Sequence, residues 1–161
     1  MNEKIGLKQI AGTLSRLFLG GIFVYAGYLK AVSPAEEFAY AIEGYRIVPQ
    51  WLALWTALAL PWLELYLGLL LAAGLFTRFC AASLGLMLVG FEALLAQAWL
   101  RHLPVLSCGC FGANSSNSIG MEFSLNIALL LSAFISFRFG EAYSLDSAVD
   151  SGTAAQPGRD G

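Results

Sequence analysis

Four apolar stretches, each close to the length of a bilayer span, constrain this chain more than any other feature: Leu14 to Val32, Trp51 to Phe76, Phe79 to Leu100 and Met121 to Phe139. A helix needs about 20 residues to cross about 30 Å of hydrocarbon, and backbone polar groups in that layer must pair within a helix or a closed barrel. None of the stretches alternates with the period of two that marks a barrel strand, so all four are expected to be helices. Composition agrees, with 58% of the 161 residues hydrophobic and 12% charged and a mean hydropathy of +0.68. A soluble domain this apolar would lack the polar residues to cover its surface.

The expected fold is all-α: a polytopic membrane four-helix bundle over residues 1–140, with a short interfacial helix in the first outer loop. Residues 141–161 are rich in Ser, Asp, Gly and Ala without apolar periodicity, and a disordered cytoplasmic tail is expected there. The lipid bilayer is thus the first partner, and the absence of a basic patch argues against nucleic acid. Met1 to Lys8 resembles the charged start of a signal peptide, but no small-residue cleavage site follows a short apolar run, so a retained first helix is expected.

Lys4, Lys8, Arg16, Arg78 and Arg138 flank one side of the spans, and Lys30, Arg46 and Arg101 the other. By the positive-inside rule both termini are cytoplasmic, and loops 33–50 and 101–120 face outward. In the first of these loops Ser33-Pro34-Ala35-Glu36-Glu37 reads as a helix start, with Ser33 as cap and acids near the positive end of the dipole. A helix from Pro34 to Glu43 is expected, with Trp51 and Trp55 anchoring the next span at the interface.

Polar residues inside the spans are few, and each calls for an explanation. Glu64 falls near the middle of the second span and Glu92 in the outer half of the third, about 10 Å below Trp99 at 1.5 Å rise per residue. A carboxylate in lipid is protonated, paired or facing a polar cavity. A shared pocket would make Glu64 and Glu92 proton-handling residues or the wall of a quinone site; the plain alternative is a hydrogen-bonded lock between helices. Lys30, at the end of the first span, either snorkels outward or pairs with a buried carboxylate. Asn126, Ser124, Ser132 and Ser136 are expected to turn toward the bundle, Gly20 and Gly27 to permit close helix approach, and Cys80 to be a buried small apolar residue.

Reactive chemistry concentrates in Ser107-Cys108-Gly109-Cys110-Phe111-Gly112. Two cysteines separated by glycine can close a small strained disulfide, of the labile kind suited to exchange. On the outer face of a membrane such a bond can form and persist. Unbonded thiols, or a metal site of Cys108, Cys110 and His102, are the alternatives, and His102 can otherwise modulate a cysteine pKa or sit as a polar interfacial residue.

Ala26-Gly27-x-x-Lys30, Glu64-x-x-x-Gly68 through Gly74-Leu75-Phe76-Thr77-Arg78, and the Cys108/Cys110 stretch resemble the DoxX-like superfamily, and the cysteine loop is most similar to its MauE, methylamine-utilisation, branch. The resemblance covers about residues 10–140. It implies a bacterial inner-membrane protein that assists disulfide formation in, or maturation of, a periplasmic partner such as the methylamine dehydrogenase light chain. On that reading Cys108 and Cys110 exchange with a periplasmic thioredoxin-like or cysteine-rich protein, as a thiol-disulfide oxidoreductase would, with Lys30 and His102 modulating and a membrane quinone as a candidate oxidant. The reading from another class is a non-enzymatic membrane scaffold or oxidase-associated subunit with a structural or metal-binding cysteine pair.

Overall fold

The structure, a computed structural model, describes residues 2–101 and 119–140. Every element among them is a helix: α1 (Asn2–Val32), α2 (Ala35–Gly44), α3 (Gln50–Ala73), α4 (Thr77–Leu100) and α5 (Ile119–Phe139). Four of them, over Gln9–Val32, Gln50–Ala73, Thr77–Leu100 and Gly120–Phe139, are long and apolar enough to cross a membrane. The all-α bundle with a short helix in the first loop is the expected fold. The helix of α1 starts well before Leu14, because no proline interrupts the polar lead-in and helical hydrogen bonding runs on past the edge of the apolar window.

α1 packs against α3 and α5, α4 against α5, and α2 lies on α3. Glycines set the closest of these contacts. A Cβ at Gly20 would stand 2.8 Å from the Gly68 carbonyl oxygen, and one at Gly68 would stand 2.9 Å from that of Gly20. Only two glycines facing each other allow the backbones of α1 and α3 to meet there. The tight turn from α3 to α4 rests on Gly74, whose φ of 78° is in the left-handed region and whose neighbour Leu75 donates its N–H to the Leu70 carbonyl at 2.9 Å, closing the helix end as glycine caps do.

The core is an apolar cluster of Leu19, Phe23, Leu71, Cys80, Leu84, Leu88 and Leu129 drawn from all four spans. Cys80 is fully buried, as expected of a small apolar core residue. Large apolar side chains also cover the outside, among them Tyr25, Trp55, Trp62, Leu86, Trp99 and Phe134. That inside-out distribution is what lipid-facing helices require, since hydrocarbon solvates them directly.

Two local expectations change. Ser33 does not cap α2: its hydroxyl donates back to the Leu29 carbonyl at 2.9 Å, finishing α1, and Pro34 with ψ 131° takes the cap position with α2 beginning at Ala35. Of the four polar residues of α5 expected to face the bundle, Asn126 and Ser136 turn inward and are buried, in register with Leu129 and Ala133. Ser124 and Ser132 lie off that face and donate to their own helix, to the carbonyls of Gly120 and Ala128. The spacing 126, 129, 133, 136 is the i, i+3, i+7 stripe of one helical face, which 124 and 132 do not share.

Candidate functional site

The polar centre of the bundle is built where α1 and α3 touch. A Cβ at Gly27 would come 2.8 Å from the Pro61 carbonyl oxygen and 3.2 Å from the Glu64 Cβ, so the missing side chain brings α1 against α3 at the level of Glu64. Lys30 follows by nearly one turn. Helical side chains lean toward the N-terminus of their helix, which from the end of α1 points into the span. The ammonium therefore turns inward instead of snorkelling, and Nζ donates to both Glu64 carboxylate oxygens, at 2.7 and 2.8 Å. Both side chains are 1% exposed.

Two rings complete the surroundings of the cation. Lys30 Nζ lies 5.2 Å from the centroid of Phe38 on α2 and 5.5 Å from that of Phe91 on α4, within the range of cation–π attraction. α1, α2, α3 and α4 thus converge on one ammonium. A small cavity adjoins the pair, lined by Lys30, Glu64, Phe91 and Asn126 together with apolar residues of α1, α4 and α5.

Glu92 stands apart from that cavity. Both its carboxylate oxygens are shielded and find no hydrogen-bond partner among the described residues, and the same holds for the side-chain amide of Gln97 one turn and a half further along α4. The structure therefore brings Lys30 to Glu64 and gives Glu92 a separate environment.

At the end of the bundle that carries α2 an electrostatic interaction links the first loop to α5. Tyr45, just past α2, and Glu122, in the first turn of α5, are both buried. Burial first, and the nearby Glu122 charge second, push the Tyr45 phenol up to about 12. At the opposite end Arg16, also buried, donates from Nη1 to the Gly140 carbonyl at 3.1 Å, placing a cation at the negative end of the α5 dipole.

Cys108, Cys110 and His102 lie outside the described residues, as does the tail 141–161. Their flanks are described: α4 ends at Leu100 and α5 begins at Ile119. Because the four spans alternate in direction, those two ends share the side that carries α2, where Tyr45 meets Glu122. Among the described residues no group of three or more His, Cys, Asp or Glu side chains is arranged to hold a metal ion.

Residues 8–139 match the family described as Methylamine utilisation protein MauE. The chain belongs to the MauE family. One relative, the Methylamine utilization protein MauE of Methylorubrum extorquens (strain ATCC 14718 / DSM 1338 / JCM 2805 / NCIMB 9133 / AM1), is 30% identical over 128 residues, which cover 79% of this chain and 68% of the relative. No solved structure matches the chain. The MauE match contains all four spans, α2 and the Cys108/Cys110 stretch, so the ion pair and the cysteine loop both belong to the region shared with the family. Phe38, Phe91, Tyr45 and Glu122 carried no signal as site residues when the sequence was read alone, since aromatic residues in spans and polar residues at span ends are ordinary in membrane helices. The inward lean of Lys30 was the one available clue to its ring partners.

Proposed function

We propose that this member of the MauE family is a bacterial inner-membrane factor for thiol-disulfide exchange, acting in methylamine utilisation on a periplasmic thioredoxin-like or cysteine-rich partner such as the methylamine dehydrogenase light chain. The observation that carries the reading is Cys108-Gly109-Cys110 in the connection between two spans of a MauE family chain. The positive-inside bias supports cytoplasmic termini and a periplasmic cysteine loop, with residues 1–140 as the membrane domain and 141–161 as a cytoplasmic tail. The motif resemblance to the DoxX-like superfamily accords with this organisation.

In the exchange, a partner thiolate attacks one sulfur of a Cys108–Cys110 disulfide, giving a mixed disulfide and one free thiolate on this chain. The partner's second thiolate then attacks the mixed bond. Two electrons have moved to Cys108 and Cys110, now thiols, and the partner holds a disulfide. Re-oxidation requires an acceptor of two electrons and two protons, either a soluble disulfide or a membrane quinone that leaves as quinol. Glu64 and Glu92, both on membrane spans, are candidates to handle those protons, while Lys30 holds Glu64 and His102 lies six residues before Cys108, where an imidazolium would favour a thiolate.

Mass mapping of protein purified without reductant tests the reading. A Cys108–Cys110 bond, or a mixed disulfide from one of the two, is expected; persistent free thiols in protein from an oxidising periplasm overturn it. A membrane-impermeant maleimide added to spheroplasts after mild reduction should label Cys108 and Cys110 and leave the fully buried Cys80 unlabelled. Labelling of the pair only after permeabilisation inverts the topology and removes the oxidative role.

A further inference from the structure

The polar node contains a buried amide donor that no described residue satisfies. Asn126 is 3% exposed, it lines the cavity beside Lys30 and Glu64, and its Nδ2 has no hydrogen-bond partner among the described residues. An amide in that position is expensive unless something accepts its hydrogens. Around the same cavity Glu64 retains acceptor capacity, since an ionised carboxylate offers about four lone-pair sites and Lys30 occupies two. Lys30 has three donor hydrogens, of which the two bonds to Glu64 use two.

The room available decides what can join these groups. The cavity has a volume of about 20 Å³, and roughly 10–15 Å³ suffices for one water. Ile22, Phe23, Ala26, Leu88, Phe91 and Leu129 supply the remaining wall, so the polar partners are confined to Lys30, Glu64 and Asn126. An internal water needs two to four polar partners, and this cavity offers three: a donor on Asn126, an acceptor on Glu64 and a donor on Lys30.

We propose that Asn126, Lys30 and Glu64 form a binding site for a single internal water, which accepts from the Asn126 amide and donates to the Glu64 carboxylate. The water links α5 to the α1–α3 ion pair, so the node spans the whole bundle. It also makes Asn126 a positioning residue for Glu64. The site concerns this node alone and holds whichever way Cys108 and Cys110 act.

A crystal structure grown in lipidic mesophase, at a resolution that shows ordered water, tests the site directly. One density peak is expected within about 3.2 Å of both Asn126 Nδ2 and a Glu64 oxygen. A dry cavity, or density for a lipid chain or a ring, overturns the proposal. Infrared difference spectra in H₂¹⁶O and H₂¹⁸O supply the second readout: an isotope-shifted O–H stretch of an isolated water is expected in the wild-type protein and not in Asn126→Leu, whose side chain fills the space without a donor. Persistence of that band in Asn126→Leu overturns the role of the amide. Should Asn126→Leu fail to fold, Asn126→Ser, which keeps a hydroxyl donor and enlarges the cavity, is expected to retain the band, and its loss there counts equally against the proposal.

Discussion

Removing one partner of the Lys30–Glu64 pair should cost far more than removing both. The pair is buried to 1% exposure on each side with Nζ to oxygen distances of 2.7 and 2.8 Å. At an effective dielectric constant of about 20, unit charges 2.7 Å apart attract by roughly 6 kcal/mol, an upper frame for the interaction. Lys30→Met leaves a carboxylate in the bundle with no cation, and Glu64→Leu leaves an ammonium with only the rings of Phe38 and Phe91; each is expected to cost about 3–5 kcal/mol. A neutral interhelical hydrogen bond would instead be worth about 0.6 kcal/mol on average and at most about 1.7, so the two descriptions are separable. The double variant Lys30→Met/Glu64→Leu buries two apolar chains of similar volume and should recover most of the loss, short of it by about 1–2 kcal/mol for the cation–π contacts it also deletes. Equilibrium unfolding of the four proteins in mixed micelles titrated with dodecyl sulfate gives the cycle. The coupling between the two sites should exceed about 3 kcal/mol. Single losses below about 1 kcal/mol that add in the double variant would refute the reasoning, and with it the view that this is a charged pair.

Three further outcomes are expected. Gly27→Leu should destabilise the protein by at least about 2 kcal/mol, because its Cβ meets backbone atoms of Pro61 and Leu65 at 2.8 and 2.9 Å and overpacking of this kind typically costs about 1–3 kcal/mol or more. Gly21→Ala, with nothing within 4 Å of its Cβ, should melt within a few degrees of wild type or above it, as the higher helix propensity of alanine suggests. Tyr45, raised to about 12, should remain a phenol in the folded protein after a denatured-state tyrosine has ionised near 10; the stabilising contribution is complete below pH 10 and is lost as pH climbs to 12. An ultraviolet titration of wild type and Tyr45→Phe checks this, and an inflection near 10 for that residue contradicts the burial argument.

The spans were legible because length and apolarity alone specify a helix in lipid, and α2 because Pro34 and the two glutamates mark a helix start. The exact cap was not, since the Ser33 hydroxyl had two competing acceptors, the end of α1 and the start of α2, and the chain geometry chose the former. Lys30 and Glu64 were each visible as residues out of place in hydrocarbon. Their union was not, because it depends on which turn of α1 meets which turn of α3, and that register is set by Gly20, Gly27 and Gly68 acting together. Asn126 and Ser124 look alike in sequence, and only the direction of the α5 stripe separates the inward amide from the outward hydroxyl.

The separation of 34 positions between Lys30 and Glu64 also has a consequence for biogenesis. α1 leaves the ribosome and enters the membrane before its counter-ion exists. At roughly 5–20 residues synthesised per second, the lysine waits about 2–7 s for the carboxylate. Its place two residues from the end of α1 makes that wait tolerable, because an ammonium there reaches the lipid headgroups until α3 arrives and Glu64 draws it inward. Once α3 is in place the same residue pins it against α1 through the two bonds to Glu64. With the topology proposed above, a chain stalled before Glu64 emerges should leave Lys30 open to an impermeant amine reagent, and release of the stall should close it.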